Sequence, residues 1–270
     1  MSEPHREPAA AVPAATLLLL RDGSSGLEVF MLERRPGDDV VPGAMVFPGG
    51  KVEAGDADPR LRRRCAGVAG LADEAVALRA AAIREAFEEC GVLLARARGA
   101  TELISAERLR ALDSRGPEPL GELVEREDLE LACDLLVPFA HWVTPTPLPR
   151  RFDTHFFAVA APSHHVAVHD GGEAVGSTWI PPARALEEER EGRLTIIFPT
   201  LMNLGKLGRS ASVAAALETA SREPIVTVQP RIERGERGLV LRIPAEAGYG
   251  VVEAPVDALR TPPGTAGTRR

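Results

Sequence analysis

The feature that most constrains the fold is a long run without helix-breaking residues, which ends in Arg-Glu-Ala-Phe-Glu-Glu-Cys-Gly-Val at positions 84–92. From Glu74 the chain is rich in alanine and has no Gly or Pro before Gly91. Ala, Leu, Arg and Glu all favour the helix. Gly91 stands where helices usually end in a left-handed residue. We therefore predict a helix over residues 74–90.

This predicted helix has two faces at about 100° per residue. Glu85, Glu88 and Glu89 share one face, on which like charges repel by roughly 0.2–0.5 kcal/mol per pair, and Arg84 can relieve part of this by pairing with Glu88. Clustered oxygen ligands of this kind bind Mg²⁺ or Mn²⁺. Taken alone, a solvated acidic face explains the pattern as well. The opposite face is apolar and suits a core: Val76, Ala80, Ile83, Phe87 and Cys90.

A second motif lies upstream, at Phe47-Pro48-Gly49-Gly50-Lys51-Val52-Glu53-Ala54-Gly55-Asp56. A Gly pair after an apolar run predicts a strand leaving into a tight turn, with its carbonyl groups free to coordinate. Together the two segments resemble the Nudix box, G-x5-E-x7-R-E-U-x-E-E-x-G-U, where U is bulky and apolar. Gly50 matches the first Gly, and residues 84–92 match the second half. Asp56 stands where the family usually has Glu, and the spacer at 57–83 is longer than the family's seven residues, which indicates an insertion that we place at 57–73.

The resemblance implies an α/β fold, the Nudix α/β/α sandwich with a mixed sheet. It also implies that the Gly49 carbonyl, Glu85, Glu88 and Glu89 hold Mg²⁺ or Mn²⁺, which neutralises a diphosphate and lowers the pKa of the attacking water. A glutamate of the box acts as base; we take Glu85 as the candidate, although the sequence does not decide among the glutamates. Arg84 would orient them. The expected activity is hydrolysis of a nucleoside diphosphate-linked substrate.

Further segments resemble the coenzyme A branch of the Nudix hydrolases. Residues 43–50 resemble its G-x3-F-P-G-G run, and Leu32 to Arg35 resembles its upstream Leu-x-x-Arg, whereas Asp39 replaces its second Arg. Residues 149–157 and the insertion resemble the larger acyl-coenzyme A diphosphatases. The resemblance implies cleavage of coenzyme A or acyl-coenzyme A to 3′,5′-ADP and (acyl-)4′-phosphopantetheine. Hydrolysis of NADH, ADP-ribose, a nucleotide sugar or a dinucleoside polyphosphate stays open, as does a non-catalytic domain that senses a nucleotide.

Cations near predicted strand ends are candidates for the substrate's phosphates, because guanidinium groups bind phosphate oxygens bidentately. Ordinary charge pairing explains them as well, and Arg150 and Arg151 can instead anchor their loop through Asp153. Glu173, which precedes a predicted Trp-containing strand, is also considered as an extra metal ligand or base. The candidate substrate-binding residues are Arg34, Arg35, Phe47, Arg151 and Glu173.

Composition narrows the class of protein. The apolar fraction of 44% permits a sizeable core, and the net charge of −7 argues against a nucleic-acid partner. Cys65, Cys90 and Cys133 have no metal-ligand spacing, which favours a reduced compartment. With no signal peptide and no apolar run long enough for a membrane span, we expect a cytoplasmic protein. The expected partner is a small-molecule diphosphate substrate, and a homodimer stays open.

We predict one elaborated Nudix domain at 13–259, between a disordered arm at 1–12 and a disordered tail at 260–270. Besides the box insertion, this domain would carry a helical addition at 100–136. His165 and His169 share a spacing that a metal could use, but a solvated strand edge is favoured. The predicted strands lie at 14–21, 27–34, 44–47, 139–143 and 156–160, the further helices at 105–114, 120–136 and 202–218, and a terminal β hairpin at 225–228 and 238–243.

Overall fold

A computed structural model describes residues 9–35, 41–112, 118–146, 148–165, 167, 169, 174–235 and 238–255. The strands are β1 (Val12–Gly23), β2 (Gly26–Arg34), β3 (Ala44–Val46), β4 (Gly49–Lys51), β5 (Ala95–Ala97), β6 (Leu129–Leu131), β7 (Val137–Val143), β8 (Phe152–Ala160), β9 (Ala174–Ile180), β10 (Thr195–Ile196), β11 (Thr227–Val228), β12 (Arg231–Gly235), β13 (Gly238–Arg242) and β14 (Glu253–Pro255). The α-helices are α1 (Pro59–Arg62), α2 (Asp73–Cys90), α3 (Ala106–Arg110), α4 (Leu120–Arg126), α5 (Pro182–Arg190), α6 (Phe198–Leu207) and α7 (Val213–Arg222).

The main sheet has nine strands within the described residues. Seven follow the order β10-β3-β2-β1-β8-β7-β11, while β4 also pairs with β1 and β9 with β2. Most neighbours are antiparallel, but β1 runs parallel to β8, from Val12 opposite Phe152 to Leu20 opposite Ala160. The predicted mixed sheet is therefore confirmed.

Helices cover both faces of this sheet. Because side chains alternate along a strand, Leu17 and Leu19 of β1 enter the core beneath α2, while Leu18 and Leu20 enter the core beneath α6 and α7. Burial on both faces explains why this central strand is a continuous apolar run rather than an alternating one. The arrangement confirms the α/β/α sandwich.

Helix α2 confirms the prediction from the alanine-rich run. Gly91 ends it with φ 66° and ψ 21°, and its N–H donates to the carbonyl oxygens of Ala86 and Phe87. Burial extends beyond the predicted apolar face to Ala81 and Ala82. The reason is that the insertion also packs on this helix, with Leu61 of α1 in the same core.

The box insertion and the helical addition are joined by backbone hydrogen bonds. The N–H of Ala66 donates to the Leu131 carbonyl at 2.9 Å, and the N–H of Leu131 donates to the Arg64 carbonyl at 2.6 Å. These bonds extend a small two-stranded sheet in which β6 pairs antiparallel with β5. The two additions to the minimal fold thus form one connected layer.

The single helix predicted at 120–136 is wrong beyond residue 126. Asp128 has a positive φ of 49°, and the chain continues as β6 and then as a 3₁₀ helix at Cys133–Leu135. The helix predicted at 105–114 is shorter than expected and begins where Ser105 Oγ accepts a hydrogen bond from the Arg108 N–H at 3.2 Å. A serine cap of this kind fixes the start of a helix without a capping box.

The bounds of three further predicted elements differ in the structure. The helix predicted at 202–218 is two helices, α6 and α7, and Ser212 caps the second by accepting from the Ala215 N–H at 3.2 Å. The C-terminal hairpin is confirmed, but it is formed by β12 and β13, whereas residues 227–228 pair with β7. Strand β1 begins at Val12, inside the predicted arm. Residues 1–8 and the predicted tail at 260–270 lie outside the described residues.

Among the helices described, none is both long enough and apolar enough to cross a lipid bilayer.

Candidate active site

The glycine pair lies against helix α2, as the resemblance to the Nudix box implied. The Gly49 N–H donates to Glu89 Oε2 at 2.8 Å. A Cβ atom at Gly50 would lie 2.3 Å from Glu85 Oε1, and one at Gly49 would lie 2.5 Å from the Ala15 carbonyl oxygen. At Gly49 backbone leaves no space for a side chain, whereas at Gly50 a side chain would displace the flexible carboxylate of Glu85. The predicted tight turn is wrong, because the pair forms the short strand β4 against β1.

Arg84 links the two halves of the motif. Its Nη1 donates to Glu85 Oε1 at 3.0 Å and to Glu88 Oε2 at 2.9 Å. Its Nε and Nη2 donate to the two carboxylate oxygens of Asp56, and Nη2 also donates to the Lys51 carbonyl at 2.9 Å. The guanidinium is thus held from several sides, and this geometry makes Arg84 a residue that orients carboxylates.

The carboxylates crowd one another. Burial raises the pKa of Glu88, the charge of Arg84 opposes that rise, and the charges of Glu53 and Asp56 add to it. A divalent cation would relieve this repulsion. Since the donors at this place are carboxylate and backbone oxygens, the set fits a hard cation such as Mg²⁺ or Mn²⁺.

A cleft of about 790 Å³ opens beside these carboxylates. Glu85, Glu88 and Glu89 line it together with Arg84 and four further cationic side chains, so it combines carboxylates suited to a hard cation with groups suited to phosphate. The four further cationic residues are Arg34, Arg35, Lys51 and Arg150. The apolar part of the lining includes Phe47, Leu148, Phe152, Phe156 and Phe198.

The structure places some of the predicted substrate-binding residues in the cleft and one of them outside it. Arg34, Arg35 and Phe47 line the cleft. Arg151 does not: its Nε donates to the Thr144 carbonyl at 3.0 Å and its Nη1 to the Ala9 carbonyl at 2.8 Å, so it anchors backbone. Glu173 lies outside the described residues. Contact of any of these residues with substrate stays a prediction.

Sequence reasoning missed several residues of the site. In the sequence, Asp56 stands out only as a departure from the box. Its carboxylate nevertheless occupies the box position of the usual Glu and pairs with Arg84. Lys51 and Glu53 lie between the recognised motif positions and also line the cleft. Phe198 and Thr200 enter it from the start of α6, and no local pattern in the sequence indicated this.

The histidines singled out in the sequence, His165 and His169, have different partners. His164 Nε2 and His165 Nε2 each lie 3.0 Å from the Ile104 carbonyl oxygen, which ties their loop to the helical addition. His169 Nδ1 lies 3.1 Å from Ser177 Oγ. The three cysteines are buried, and Cys90 belongs to the core beneath α2, as expected.

Comparison with known proteins agrees with this geometry. A family model described as the NUDT19 Nudix domain matches residues 62–207. The chain is 25% identical to the acyl-coenzyme A diphosphatase NUDT19 of Xenopus laevis over 281 residues, covering 85% of this chain and 73% of that protein. It is 27% identical to the human protein of the same name, covering 71% and 63%, and 28% identical to putative nudix hydrolase 7 of Caenorhabditis elegans, covering 67% and 56%. The chain thus spans between 56% and 73% of the length of these relatives.

A solved structure shows the same fold. The crystal structure of a Nudix hydrolase from Alicyclobacillus acidocaldarius matches with a TM-score of 0.68 and 28% sequence identity. The match covers 80% of this chain and 99% of that one.

Proposed function

The chain belongs to the Nudix hydrolases, in the branch described as the NUDT19 Nudix domain, and from this we propose that it cleaves the diphosphate of coenzyme A or of an acyl-coenzyme A. The products would be 3′,5′-ADP and 4′-phosphopantetheine or its acyl derivative. The observation that carries the proposal is that the carboxylates of α2 line the same cleft as Arg34, Arg35 and Arg150. The acyl-coenzyme A diphosphatases among its relatives support the choice of substrate.

The shape and charge of the cleft suit this substrate. Coenzyme A carries a 3′-phosphate, a diphosphate and a long, flexible arm, so its site needs several cations and an open groove. Besides Arg84, which pairs with carboxylates, the cleft offers three arginines and Lys51 as cations for the phosphates. Its volume of about 790 Å³ lies within the range of small-molecule sites, and its apolar wall of Phe47, Phe152 and Phe198 suits the uncharged arm.

The chain's own residues would hold and orient the reacting groups. Glu85, Glu88, Glu89 and the Gly49 carbonyl would hold Mg²⁺ or Mn²⁺, which when bound supplies charge neutralisation at the diphosphate and activation of water. Arg84 keeps two of these carboxylates in place through its Nη1. We assign proton acceptance to Glu85, whose side chain is 13% exposed and is held in position between Arg84 and Gly50.

The test is a comparison of substrates with identification of the products by mass. The values of kcat/KM for coenzyme A, its 3′-dephospho form, ADP-ribose and NADH should favour coenzyme A in buffer with Mg²⁺ or Mn²⁺. If ADP-ribose or NADH is preferred tenfold, about 1.4 kcal/mol of transition-state stabilisation, the coenzyme A assignment fails and the diphosphatase assignment stands.

A chelator separates the remaining alternatives. Turnover is expected to stop in excess chelator and to return when Mg²⁺ or Mn²⁺ is added back. Full turnover in the chelator would contradict the metal requirement. Binding of the nucleotide without turnover in any metal would instead indicate a domain that senses its ligand.

A further inference from the structure

Three potential metal ligands meet on the two strands β7 and β8. His141 lies directly opposite His155 in the antiparallel register, and Asp153 precedes His155 by two residues, so that the side chains of Asp153 and His155 leave β8 on the same face. One ligand atom from each of the three side chains lies within 4.8 Å of the others. No local pattern in the sequence indicates this cluster, because the strand register creates it.

Contacts within the cluster already bring the ligand atoms together. His141 Nε2 contacts Asp153 Oδ1, and His155 Nε2 lies 3.8 Å from the same oxygen. The two imidazole rings stack with centroids 3.9 Å apart and an interplanar angle of 21°. On its other side, His141 Nδ1 lies 2.8 Å from Thr227 Oγ1 of β11. A partner on the second ring nitrogen is what fixes the orientation and tautomer of metal-binding histidines.

We propose that His141, Asp153 and His155 form a second metal site, which takes a borderline transition-metal ion of the Zn²⁺ class. Two imidazoles and one carboxylate are a set that suits Zn²⁺, with a fourth position left to water. The α2 cluster, by contrast, offers only oxygen ligands, which suit Mg²⁺ or Mn²⁺. The chemistry of the donors therefore separates the two sites.

The surroundings favour the metal-binding form of the ligands. Burial lowers the pKa of His155, and the charges of His141 and Arg79 lower it further against the opposing charge of Asp153. A neutral imidazole is the form that binds metal. The side chains of His141, His155 and Asp153 are 16%, 33% and 39% exposed, so that an ion can reach them from solvent. Arg79 weakens the attraction for a cation, and the carboxylate of Asp153 offsets it.

The site lies behind the wall of the cleft. Phe152, Thr154 and Phe156 of β8 line the cleft, and they alternate along the strand with Asp153 and His155. The ligands therefore face the other side of the sheet. An ion bound there would tie β7 to β8 behind the substrate wall without touching the substrate.

Zinc binding by the full-length chain tests this proposal. The protein is freed of metal by a chelator and then dialysed against limiting Zn²⁺ in excess Mg²⁺, which occupies the oxygen site. Bound zinc is then measured by mass spectrometry. The wild type is expected to retain one equivalent per chain, and His155→Gln to bind zinc at least tenfold more weakly. His165→Gln, which changes another half-buried histidine, and Glu88→Gln, which changes the cleft, should both retain it.

Two results would overturn the proposal. One is a wild-type chain that binds no zinc in excess Mg²⁺. The other is zinc that is lost in Glu88→Gln but kept in His155→Gln, since that pattern places the ion in the cleft. Circular dichroism checks that each variant folds. If His155→Gln does not fold, Asp153→Asn changes the most exposed of the three ligands and decides by the same measurement.

Discussion

Asp56 and Arg84 form a bidentate ion pair inside the Nudix box, with Nε–Oδ1 at 3.0 Å and Nη2–Oδ2 at 3.1 Å. The two side chains are only 2% and 8% exposed. Burial alone would lower the pKa of Arg84, but its hydrogen bonds to Asp56 and the charges of Glu85, Asp56 and Glu88 raise the pKa above its ordinary value. The shorter Asp therefore serves as the partner of the box arginine at the position where the family usually has Glu.

Removal of that partner should destabilise the fold. Asp56→Ala removes the bidentate, fully buried partner of the Arg84 guanidinium, and we expect the free energy of unfolding to fall by about 3–5 kcal/mol. Urea denaturation measures it. Asp73→Ala is the matched control, because its ion pair with Arg62 is exposed, and such pairs contribute about 0–1 kcal/mol. Equal losses in the two variants would show that burial of the Asp56 pair contributes nothing.

Loss of a cleft carboxylate should remove activity but leave the protein folded. We expect Glu88→Gln and Glu89→Gln each to lower kcat roughly 100-fold or more, about 2.7 kcal/mol or more of transition-state stabilisation, because a charge that holds the metal is lost. Glu74→Gln changes a carboxylate at the exposed start of α2 and should leave kcat unchanged. Near-normal rates in both cleft variants would mean that this acidic face is merely solvated.

The two glycines of β4 should separate stability from activity. In Gly50→Ala the new methyl group meets the flexible end of Glu85, so the chain should fold while kcat falls at least tenfold. In Gly49→Ala it meets the Ala15 carbonyl oxygen and, at 2.7 Å, the Cα of Thr16. Since backbone cannot move aside cheaply, we expect a loss of about 1–3 kcal/mol in stability. Thermal melts and initial rates distinguish the two, and the reverse pattern would contradict this geometry.

Neighbouring arginines should differ in their effect on substrate binding. Arg150 lines the cleft, whereas Arg151 is held by backbone carbonyl groups. We expect Arg150→Ala to raise KM for coenzyme A several-fold and Arg151→Ala to leave KM nearly unchanged while lowering the melting temperature. Steady-state kinetics on both variants test this. An equal rise in KM in the two variants would show that Arg151 also binds the substrate.

Stability should fall as the metal-free protein is acidified below about pH 6.5. Because burial lowers the pKa of His155 below its ordinary value of 6.5, the unfolded chain binds more protons than the folded chain in this range. The stability from neutral His155 is present above the unfolded pKa and is lost as the pH falls through the folded pKa. The free energy of unfolding is measured against pH by urea titration in the presence of a chelator. His155→Gln should remove only part of the pH dependence, because burial also lowers the pKa of His165. An unchanged slope would contradict the prediction.

Local patterns were enough to predict the centre of the site. The absence of breakers before Gly91 predicted α2, and the four-residue spacing predicted the pairing of Arg84 with Glu88, which is confirmed at 2.9 Å. The approach of the glycine pair to the carboxylates followed from the resemblance to the Nudix box. These features depend on residues that are close in sequence or belong to one motif.

Features that depend on strand partners were not predictable in the same way. Leu129 fitted the spacing of the predicted helix at 120–136, yet it pairs with Ala97 of β5. Tertiary pairing overrides local preference in such short segments. The meeting of His141 with His155 likewise depends on a register that no local signal encodes.

The parallel pairing of β1 with β8 has a consequence for synthesis on the ribosome. Val12 cannot meet Phe152 until about half of the chain has been made. Closing such a long loop is slow, because its entropic cost precedes the contacts that repay it. Until then the apolar strand from Leu17 to Leu20 lacks its central partner, which makes the nascent chain prone to aggregation. We therefore expect the first half of this protein to depend on chaperones that shield apolar segments until β8 emerges.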